Sequence, residues 1–508
     1  MDSNNKRIAK NTLFLYFRML LKMCVGLYTS RVVLSTLGVE DFGIYNVVGG
    51  TVVLFSFINN AMSTATQRFL SFELGRKDLS EVKRVFSMSL TVHICIAALV
   101  VILAEIIGLW FLNAKMNISP ARMDAANWVY QFSIITTVIG IIKVPYRASI
   151  IAYEKMSFYA FIGIVEAVLK LLLAFSLVYS GFDKLKTFSV LTLSVSVCIF
   201  FCFRSFCRRK TGTGYYYYFR DKKLFVKLIS FSGWSLFGSM ANVSAGQGVN
   251  ILLNIFHGVA VNAAKGVANQ VNGAMYHFVS NFQTAFRPQI VKLYALGKKR
   301  QLEQLIFRSS KFSFLMLFCL NLPLMLNLDF VMKIWLKTVP EHANVFCLII
   351  MLDSLLNALG APFWMTVQAT GKIKKYIVTA SSITGLNIVL SYIVLKLGYS
   401  PPAVVLVKAA VDLMLFTVRL LFMRYFGIFK AVKYVKNVLW RIVATVAITL
   451  PLPLLLHTCY SEWKGLFITS FAFYTVLLPA GYFIGLNRQE KQLINDNLHT
   501  IFKSIHNG

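Results

Sequence analysis

The chain has 508 residues, of which 57% are hydrophobic and only 14% are charged, and its mean hydropathy is +0.65. Lys and Arg number 52 against 20 Asp and Glu, which gives a formal net charge of +32. A soluble chain carries about 25% charged residues. The composition therefore excludes a soluble enzyme, a disordered basic protein and a nucleic-acid binder with a basic tail, and it is typical of a polytopic membrane protein.

The apolar runs are long and do not alternate; residues 442–456, for example, contain no charge. A transmembrane helix needs about 20 apolar residues, whereas barrel strands show weak alternating segments of about ten. We therefore predict an all-α integral membrane protein with about 14 transmembrane helices. The predicted spans are residues 12–33, 43–66, 85–112, 125–142, 158–180, 187–203, 228–256, 262–286, 312–332, 344–369, 377–395, 402–423, 442–457 and 465–486.

The basic residues are distributed unevenly between the two sides of the predicted membrane. If the N-terminus is placed inside, 37 of the 52 Lys and Arg fall in inside segments, eight in outside loops and seven within spans. Because cytoplasmic loops carry the excess of Lys and Arg, both termini are predicted to be cytoplasmic. Most of the net charge is then a consequence of topology.

A short internal repeat suggests two lobes. Residues 75–77 (GRK) followed by Glu81 match residues 297–299 (GKK) followed by Glu303. The copies lie six spans apart, so either the match is chance or the lobes are parallel repeats of six helices. The predicted organisation is an N-terminal lobe at 1–210 (spans 1–6), a C-terminal lobe at 211–430 (spans 7–12), and spans 13 and 14 with a cytoplasmic tail at 431–508.

The first span contains two cations one helical turn apart, Arg18 and Lys22. If the span begins near residue 12, Lys22 lies about 15 Å deep, near the bilayer midplane. An ionisable group at that depth must face protein or water. Either both side chains line a cationic cavity, or they snorkel to the interface or form a structural ion pair.

Polar side chains follow helical spacing in spans two, seven and eight. Such stripes either hold helices together or line a hydrated cavity shared by the lobes; Lys265, near the outer end of span eight, can also snorkel. The candidate substrate-binding residues from these stripes are Asn60, Asn242, Asn250, Lys265, Asn269, Asn272 and Gln283.

Other charges within spans divide into two kinds. Glu166 with Lys170, and Lys408 with Asp412, have the i, i+4 spacing of mutually neutralising pairs. Glu105 and Asp353 have no partner on their own helices, so each is a candidate for binding a coupling proton or cation.

Motifs of catalysis or cofactor binding are missing from the sequence. It contains no P-loop, GxSxG, HExxH or CxxC pattern, and its longest predicted outside loop, 113–124, has about twelve residues. We therefore expect neither an enzyme nor a cofactor or metal site.

Several short motifs resemble the Wzx-type oligosaccharide flippases of bacterial polysaccharide biosynthesis, within the multidrug/oligosaccharidyl-lipid/polysaccharide exporter (MOP) superfamily. They are residues 37–45 (LGVEDFGIY), 65–69 (ATQRF), 73–75 (ELG), 145–148 (PYRA), 152–155 (AYEK) and 369–372 (ATGK).

This resemblance implies two six-helix lobes around a central cavity with alternating access. The implied cargo is an isoprenoid-diphosphate-linked oligosaccharide, a repeat unit of a surface polysaccharide such as O-antigen, lipopolysaccharide or capsule, moved from the inner to the outer leaflet of the bacterial inner membrane. The implied partners are this cargo, membrane lipids, and a polysaccharide polymerase and glycosyltransferases, with no nucleic acid. Arg18, Lys22 and Lys265 would hold the diphosphate by charge-assisted contacts.

Two rivals share the superfamily resemblance. A multidrug and toxin extrusion antiporter usually carries cations and should have an acidic first span, whereas Arg18 and Lys22 make this span basic. A lipid II flippase also has a cationic cavity, so charge does not exclude it.

Overall fold

The computed structural model describes residues 56–115, 118–336, 339–487 and 490–492. Among the first 45 residues it describes 12–22, 24–26, 28, 29, 32, 33, 35–37, 41, 44 and 45. The described residues are predominantly helical and include no strand. The predicted all-α class is confirmed.

The helices are numbered in chain order, with α1 at residues 12–22. The others are α2 Ser56–Arg76, α3 Leu79–Leu103, α4 Leu109–Lys115, α5 Pro120–Ala152, α6 Met156–Ser176, α7 Lys184–Phe206, α8 Lys222–His257, α9 Val259–Ala295, α10 Lys299–Leu326, α11 Leu328–Leu336, α12 Ala343–Thr370, α13 Lys374–Lys396, α14 Pro402–Tyr425, α15 Ala431–Tyr434, α16 Trp440–Thr449, α17 Pro451–Cys459 and α18 Glu462–Ala480. Single π-helical turns follow α3, α7, α15 and α18, and a 3₁₀ turn follows α6.

Ten helical segments in the described residues are long and apolar enough to cross a membrane, and they correspond to ten of the 14 predicted spans. The predicted spans 12–33 and 43–66 fall partly outside the described residues. The predicted spans 262–286 and 402–423 lie within α9 and α14, whose charged and amide side chains make them too polar to be recognised by composition. The count of 14 is compatible with the structure.

The sequence explains where many helices begin and end. Pro120 and Pro402 lie in the first turns of α5 and α14, where a missing backbone N–H costs nothing. The Asp183 carboxylate caps α7 by accepting from the Lys186 backbone N–H. Gly297 follows α9 and Gly371 follows α12, with φ of 67° and 74°, a left-handed conformation that ends a helix at little cost when the residue is glycine.

The chain divides into two compact units. The N-terminal unit contains the described residues up to Ser239 together with Val291–Gly297, and the C-terminal unit contains Met240–Ile290 and the described residues from Lys298 onward. Helices α8 and α9 each contribute to both units. The lobes drawn from the sequence repeat stay a prediction.

In the N-terminal unit, α5 packs against α2, α3 and α7. A close contact fixes the π-helical turn Ala104–Gly108 that follows α3: the Tyr130 hydroxyl of α5 donates to the Ala104 carbonyl at 2.7 Å. A side chain at Gly108 would place its Cβ 1.8 Å from the Tyr130 hydroxyl oxygen. The glycine therefore makes room for the tyrosine that satisfies the turn.

In the C-terminal unit, α12 packs between α10 and α14, and α18 covers α10. Phe346, Phe363 and Phe473 are fully buried there. Tyr434 of α15 is also fully buried, and its hydroxyl lies 2.6 Å from the Ser310 hydroxyl of α10. Aromatic packing with satisfied hydroxyls thus supports the helices that carry the cavity described below.

Arg122, at the start of α5, bridges two carboxylates. Its guanidinium pairs with Asp41 and donates to Asp183 at 2.7 Å. Burial alone raises the pKa of Asp183, but the Lys186 backbone N–H and the Arg122 guanidinium outweigh burial and hold the pKa below its ordinary 3.8. The Arg122–Asp183 pair therefore joins the starts of α5 and α7.

The first prediction concerns the close contact at Gly108. Gly108→Ala should lower the free energy of unfolding by about 1–3 kcal/mol, because the new methyl group displaces the Tyr130 hydroxyl. Gly140→Ala in α5 is the matched control, since no atom lies within 4 Å of its added Cβ. Thermal unfolding in detergent measures both. Equal melting temperatures for the two variants would contradict the contact.

The second prediction concerns the pH dependence of the Arg122 bridge. Because the pKa of Asp183 is lowered by folding, its contribution to stability is complete above about pH 4 and is lost as the pH falls through the lowered pKa. The melting temperature of the wild type should therefore fall more steeply than that of Asp183→Asn between about pH 6 and pH 3. Parallel curves would refute the linkage. Asp329→Asn, at a carboxylate that contacts the Asn344 amide, is the control.

Candidate functional site

The C-terminal unit contains a cavity of about 680 Å³ between α8, α9, α12, α13 and α14. Its wall is rich in amides and carries charges of both signs. The polar and aromatic residues that line it are Asn242, Gln247, Asn250, Lys265, Asn269, Asn272, Tyr276, Asp353, Ser354, Asn357, Trp364, Thr384, Asn387, Lys408, Asp412 and Arg419.

Lys265 is fixed in the cavity wall by amides. It is only 8% exposed, and its Nζ donates to the Asn250 side-chain oxygen at 2.8 Å. Asn250 is itself held, because its side-chain amide nitrogen donates to Gln247 at 3.1 Å and its backbone carbonyl accepts from the Asn262 side chain at 3.0 Å. Lys265 has no carboxylate within salt-bridge distance among the described residues, so its charge is solvated by an amide rather than neutralised.

Lys408 of α14 pairs with both acids of the cavity. Its Nζ pairs with Asp353 of α12 and lies 2.6 Å from Asp412. Asn357 donates to Asp412 at 3.1 Å and to Asp353 at 3.4 Å, so the carboxylates share an amide as well as the ammonium group. The Lys408 side chain is 43% exposed, which places this cluster at the open part of the cavity.

Arg419 lies on the same helix, two turns after Asp412. Its Nε donates to the Tyr376 hydroxyl at 2.9 Å, and Tyr376 stacks on Trp364, which lines the cavity. Gly360 leaves room for the guanidinium, since an added Cβ would lie 2.7 Å from an Arg419 nitrogen. Among the described residues, the cavity wall thus has three cations and two acids, and both acids form ion pairs with Lys408.

Two buried polar atoms on the cavity wall are left without a hydrogen-bond partner within the described chain: one carboxylate oxygen of Asp353 and the amide oxygen of Asn272. Buried polar atoms normally have partners. Unsatisfied acceptors in a polar cavity of this size are suited to bind water or the hydroxyl groups of a ligand. These two acceptors can therefore bind water or the hydroxyl groups of a ligand.

Most of the predicted C-terminal site residues line this one cavity; they are Asn242, Asn250, Lys265, Asn269, Asn272 and Asp353. Gln283 does not line it. Its side chain is only 5% exposed. It donates to the Ser313 hydroxyl at 3.3 Å and to the Ala358 carbonyl at 3.5 Å, so it holds neighbouring helices together. The side chain of Asn60 lies outside the described part of the chain.

The remaining predicted residues are in the N-terminal unit. Arg18 lies over the Tyr159 ring, 4.2 Å from its centroid, and the Lys22 ammonium lies 3.5 Å from Glu166. Glu105 accepts a hydrogen bond from Gln131 at 3.2 Å.

The structure completes the account of the charges within the spans. For Asp353 and Glu105 the sequence analysis considered only partners on their own helices, and the structure adds partners from other helices: Lys408 pairs with Asp353, and Gln131 donates to Glu105. Their role in binding a coupling proton or cation stays a prediction. The predicted pairs Glu166–Lys170, at 3.0 Å, and Lys408–Asp412 are confirmed.

The sequence reasoning missed Asn357, Asn387, Trp364 and Tyr376 around the C-terminal cavity. Asn357 had a usable signal, because it lies one turn after Asp353 on the same helix face. Tyr376 had none, since only the packing of α13 against α14 brings it to Arg419.

The structure was compared with known proteins. No protein-family model matches the chain, and no curated protein matches it either. Solved structures do match. A MATE transporter in a bent conformation superposes with a TM-score of 0.71 at 13% identity, over 84% of this chain and 96% of that one.

Two further solved structures of transporters also match. A variant of the Vibrio cholerae MATE transporter VcmN gives a TM-score of 0.69 at 15% identity, covering 83% of this chain and 98% of that one. A MOP superfamily transporter from Pyrococcus furiosus gives 0.65 at 14% identity, covering 82% and 95%. The chain therefore has the fold of MATE transporters of the MOP superfamily.

The third prediction concerns the charge cluster at Lys408. Lys408→Met should destabilise the protein by about 1–3 kcal/mol, because it leaves two carboxylates facing each other without a counterion; its partial exposure to water limits the loss. The triple variant Asp353→Asn, Lys408→Met, Asp412→Asn should recover most of the loss. Thermal unfolding measures both. A triple variant as unstable as the single one would show that the charges do not compensate one another.

Proposed function

We propose that the protein is a flippase that moves an isoprenoid-diphosphate-linked oligosaccharide, a surface polysaccharide repeat unit, from the inner to the outer leaflet by alternating access. In this proposal it lies in the bacterial cytoplasmic membrane with both termini cytoplasmic. Its lobes are residues 1–210 and 211–430, followed by the last two spans and tail. A polysaccharide polymerase and glycosyltransferases act on the same cargo.

Two general features support a transporter of this type. The fold is that of MOP superfamily transporters. In addition, the cavity of the C-terminal unit is large enough for several sugar rings or a diphosphate group, and its wall offers both amide and aromatic contacts. Amides bind sugar hydroxyls, and the face of Trp364 can pack on the apolar face of a sugar ring.

The single observation that supports an anionic cargo is the environment of Lys265. This buried lysine is held at the cavity wall by the Asn250 amide, and no described carboxylate neutralises it. A buried cation without a counterion is costly. An anionic group of the cargo would supply the missing counterion through a charge-assisted hydrogen bond.

The rival function is a multidrug antiporter, which the MATE matches favour by fold alone. Such a carrier of cations needs an acidic cavity wall. Here both acids of the described wall pair with Lys408, and that wall carries three cations against two acids. The Pyrococcus furiosus transporter is described as having a binding pocket of reversed polarity that suggests a different function. Pocket polarity therefore varies on this fold, and the polarity here favours an anion. A lipid II flippase carries a diphosphate too and remains the closest alternative.

The fourth prediction tests the role of Lys265 in cells. Lys265→Ala should reduce surface glycan at least about tenfold, because one charge-assisted contact contributes about 1.5–3 kcal/mol. Lys265→Arg should retain more export, since the charge is kept. Lys333→Ala, an exposed lysine on α11, is the matched control and should export normally.

Surface glycan is measured by immunoblot, with protein abundance in the membrane measured in the same cells. Normal glycan in Lys265→Ala at normal abundance would remove Lys265 from the site. A deletion strain with normal glycan, but with increased sensitivity to cationic drugs, would instead support the antiporter.

A further inference from the structure

Three helices of the N-terminal unit each place two charged side chains one helical turn apart, on faces that meet. Five of these side chains are cations and one is an acid, so the described cluster has a formal excess of four positive charges. Together they form what we call the α1–α5–α6 cluster. Its charged members are Arg18 and Lys22 on α1, Lys143 and Arg147 on α5, and Glu166 and Lys170 on α6.

The tier of this cluster nearest the helix ends is built around Tyr159 of α6. The Arg18 guanidinium lies 4.2 Å from the centroid of the Tyr159 ring, and the Arg147 guanidinium lies 5.5 Å from it. Gly163, one turn further along α6, makes room for Arg18, because an added Cβ would lie 2.2 Å from its Nε. That Nε is buried and has no hydrogen-bond partner within the described chain. Two guanidinium groups thus lie against the same aromatic ring, that of Tyr159.

The deeper tier is built around Glu166. One of its carboxylate oxygens lies 3.0 Å from the Lys170 ammonium and the other 3.5 Å from the Lys22 ammonium. Lys143 interacts electrostatically with Glu166 and also with Lys22, Lys170 and Arg147. A single carboxylate therefore faces three ammonium groups.

The two tiers lie at different depths along the helices. The depths are measured at 1.5 Å per residue from residue 12 at the start of α1, from Ala152 at the end of α5 and from Met156 at the start of α6. Lys22, Lys143 and Glu166 lie about 14–15 Å from these ends, whereas Arg18 and Arg147 lie about 8–9 Å from them. A charge at the deeper level is beyond the reach of headgroup water in a bilayer and needs a partner. One carboxylate cannot neutralise five cations, so the cluster has an excess of positive charge that a further anion of high charge can balance.

We propose that Lys143 and Arg147 complete, with Arg18 and Lys22, a binding site for a diphosphate group, and that Glu166 is the resident counter-anion that the diphosphate displaces from Lys22. The identity of the diphosphate as part of the cargo rests on the proposed function. Arg18 and Arg147 meet the anion first, and Lys22 and Lys143 hold it at the deeper level. Lys143 and Arg147 thereby become binding residues.

The geometry gives the exchange a direction. The Lys22 contact with Glu166 is the longer of its two ion pairs and joins two helices, whereas the Lys170 contact is shorter and lies within α6. When a diphosphate takes Lys22, Glu166 keeps Lys170 and is not left as an unpaired charge. When the anion leaves, Glu166 recovers Lys22. The carboxylate therefore competes with the ligand, which keeps binding reversible.

The test is binding of inorganic diphosphate to the full chain in phosphatidylcholine nanodiscs, by isothermal titration calorimetry. Lys143→Ala and Arg147→Ala should each weaken binding about tenfold, as loss of a charge-assisted contact does. Arg147→Lys should recover part of the affinity. Lys83→Ala, an exposed lysine of the same unit, controls for net charge and should bind normally.

Glu166→Gln is the decisive variant, because a displaced counter-anion and a merely structural ion pair predict opposite results. Removing a competitor should tighten diphosphate binding about tenfold and at the same time slow glycan export, since release becomes harder. Glu81→Gln is the matched control: Glu81 also pairs within its own helix, at 2.9 Å from Arg84, but lies outside the cluster. Melting temperatures of all variants establish that each is folded.

Unchanged or weaker diphosphate binding by Glu166→Gln would overturn the proposal, and so would a wild type that binds no diphosphate. Nanodiscs that contain phosphatidylglycerol identify the source of the phosphate: undiminished affinity supports a cargo diphosphate, and competition by this lipid would overturn it in favour of a phospholipid headgroup. The binding results are independent of export. A deletion strain with normal surface glycan would refute the proposed function while leaving the diphosphate site in place.

Discussion

The structure depends on one constraint, which is that a charge on a helix inside a hydrocarbon layer must have a partner. The described helices meet it in several ways. Lys408 is shared by two carboxylates, and Lys265 is solvated by an amide. Arg18 lies on an aromatic ring, and Lys22 shares Glu166 with a second lysine. Only the first of these arrangements neutralises its charge completely. In the others, the positive charge is not fully balanced, so it can attract an anionic ligand. Their partners are an amide, an aromatic ring and a shared carboxylate.

This difference separates structural charges from functional ones. Arg122 pairs with Asp41 and Asp183, so this cation is fully balanced and leaves no positive charge for a ligand. Lys265 and the cations of the α1–α5–α6 cluster retain such charge. Each unit therefore contains a cationic site of its own, one lined mainly by amides and the other built from stacked and paired side chains. An anionic, sugar-bearing lipid has groups that fit both kinds of site.

The sequence predicted the fold class because apolar runs of about 20 residues have few alternatives to transmembrane helices. It also predicted the pairs Glu166–Lys170 and Lys408–Asp412, since both are local and follow helix geometry. It did not predict that Asp353 pairs with Lys408, or that Lys143 and Arg147 join Arg18 and Lys22. Those contacts join different helices, and periodicity within one helix carries no information about its neighbours. Gln283 shows the converse limit, because a polar stripe does not reveal which of its members face a cavity and which pack against a backbone.

The most direct measurement of the central claim is a flipping assay with the purified chain in proteoliposomes. The probes are a fluorescent short-chain isoprenoid-diphosphate-linked disaccharide and a cationic dye, compared in the same preparation. The account predicts protein-dependent movement of the diphosphate-linked sugar, which is lost in Lys265→Ala, and no movement of the dye. Transport of the cationic dye without any movement of the diphosphate-linked sugar would contradict it.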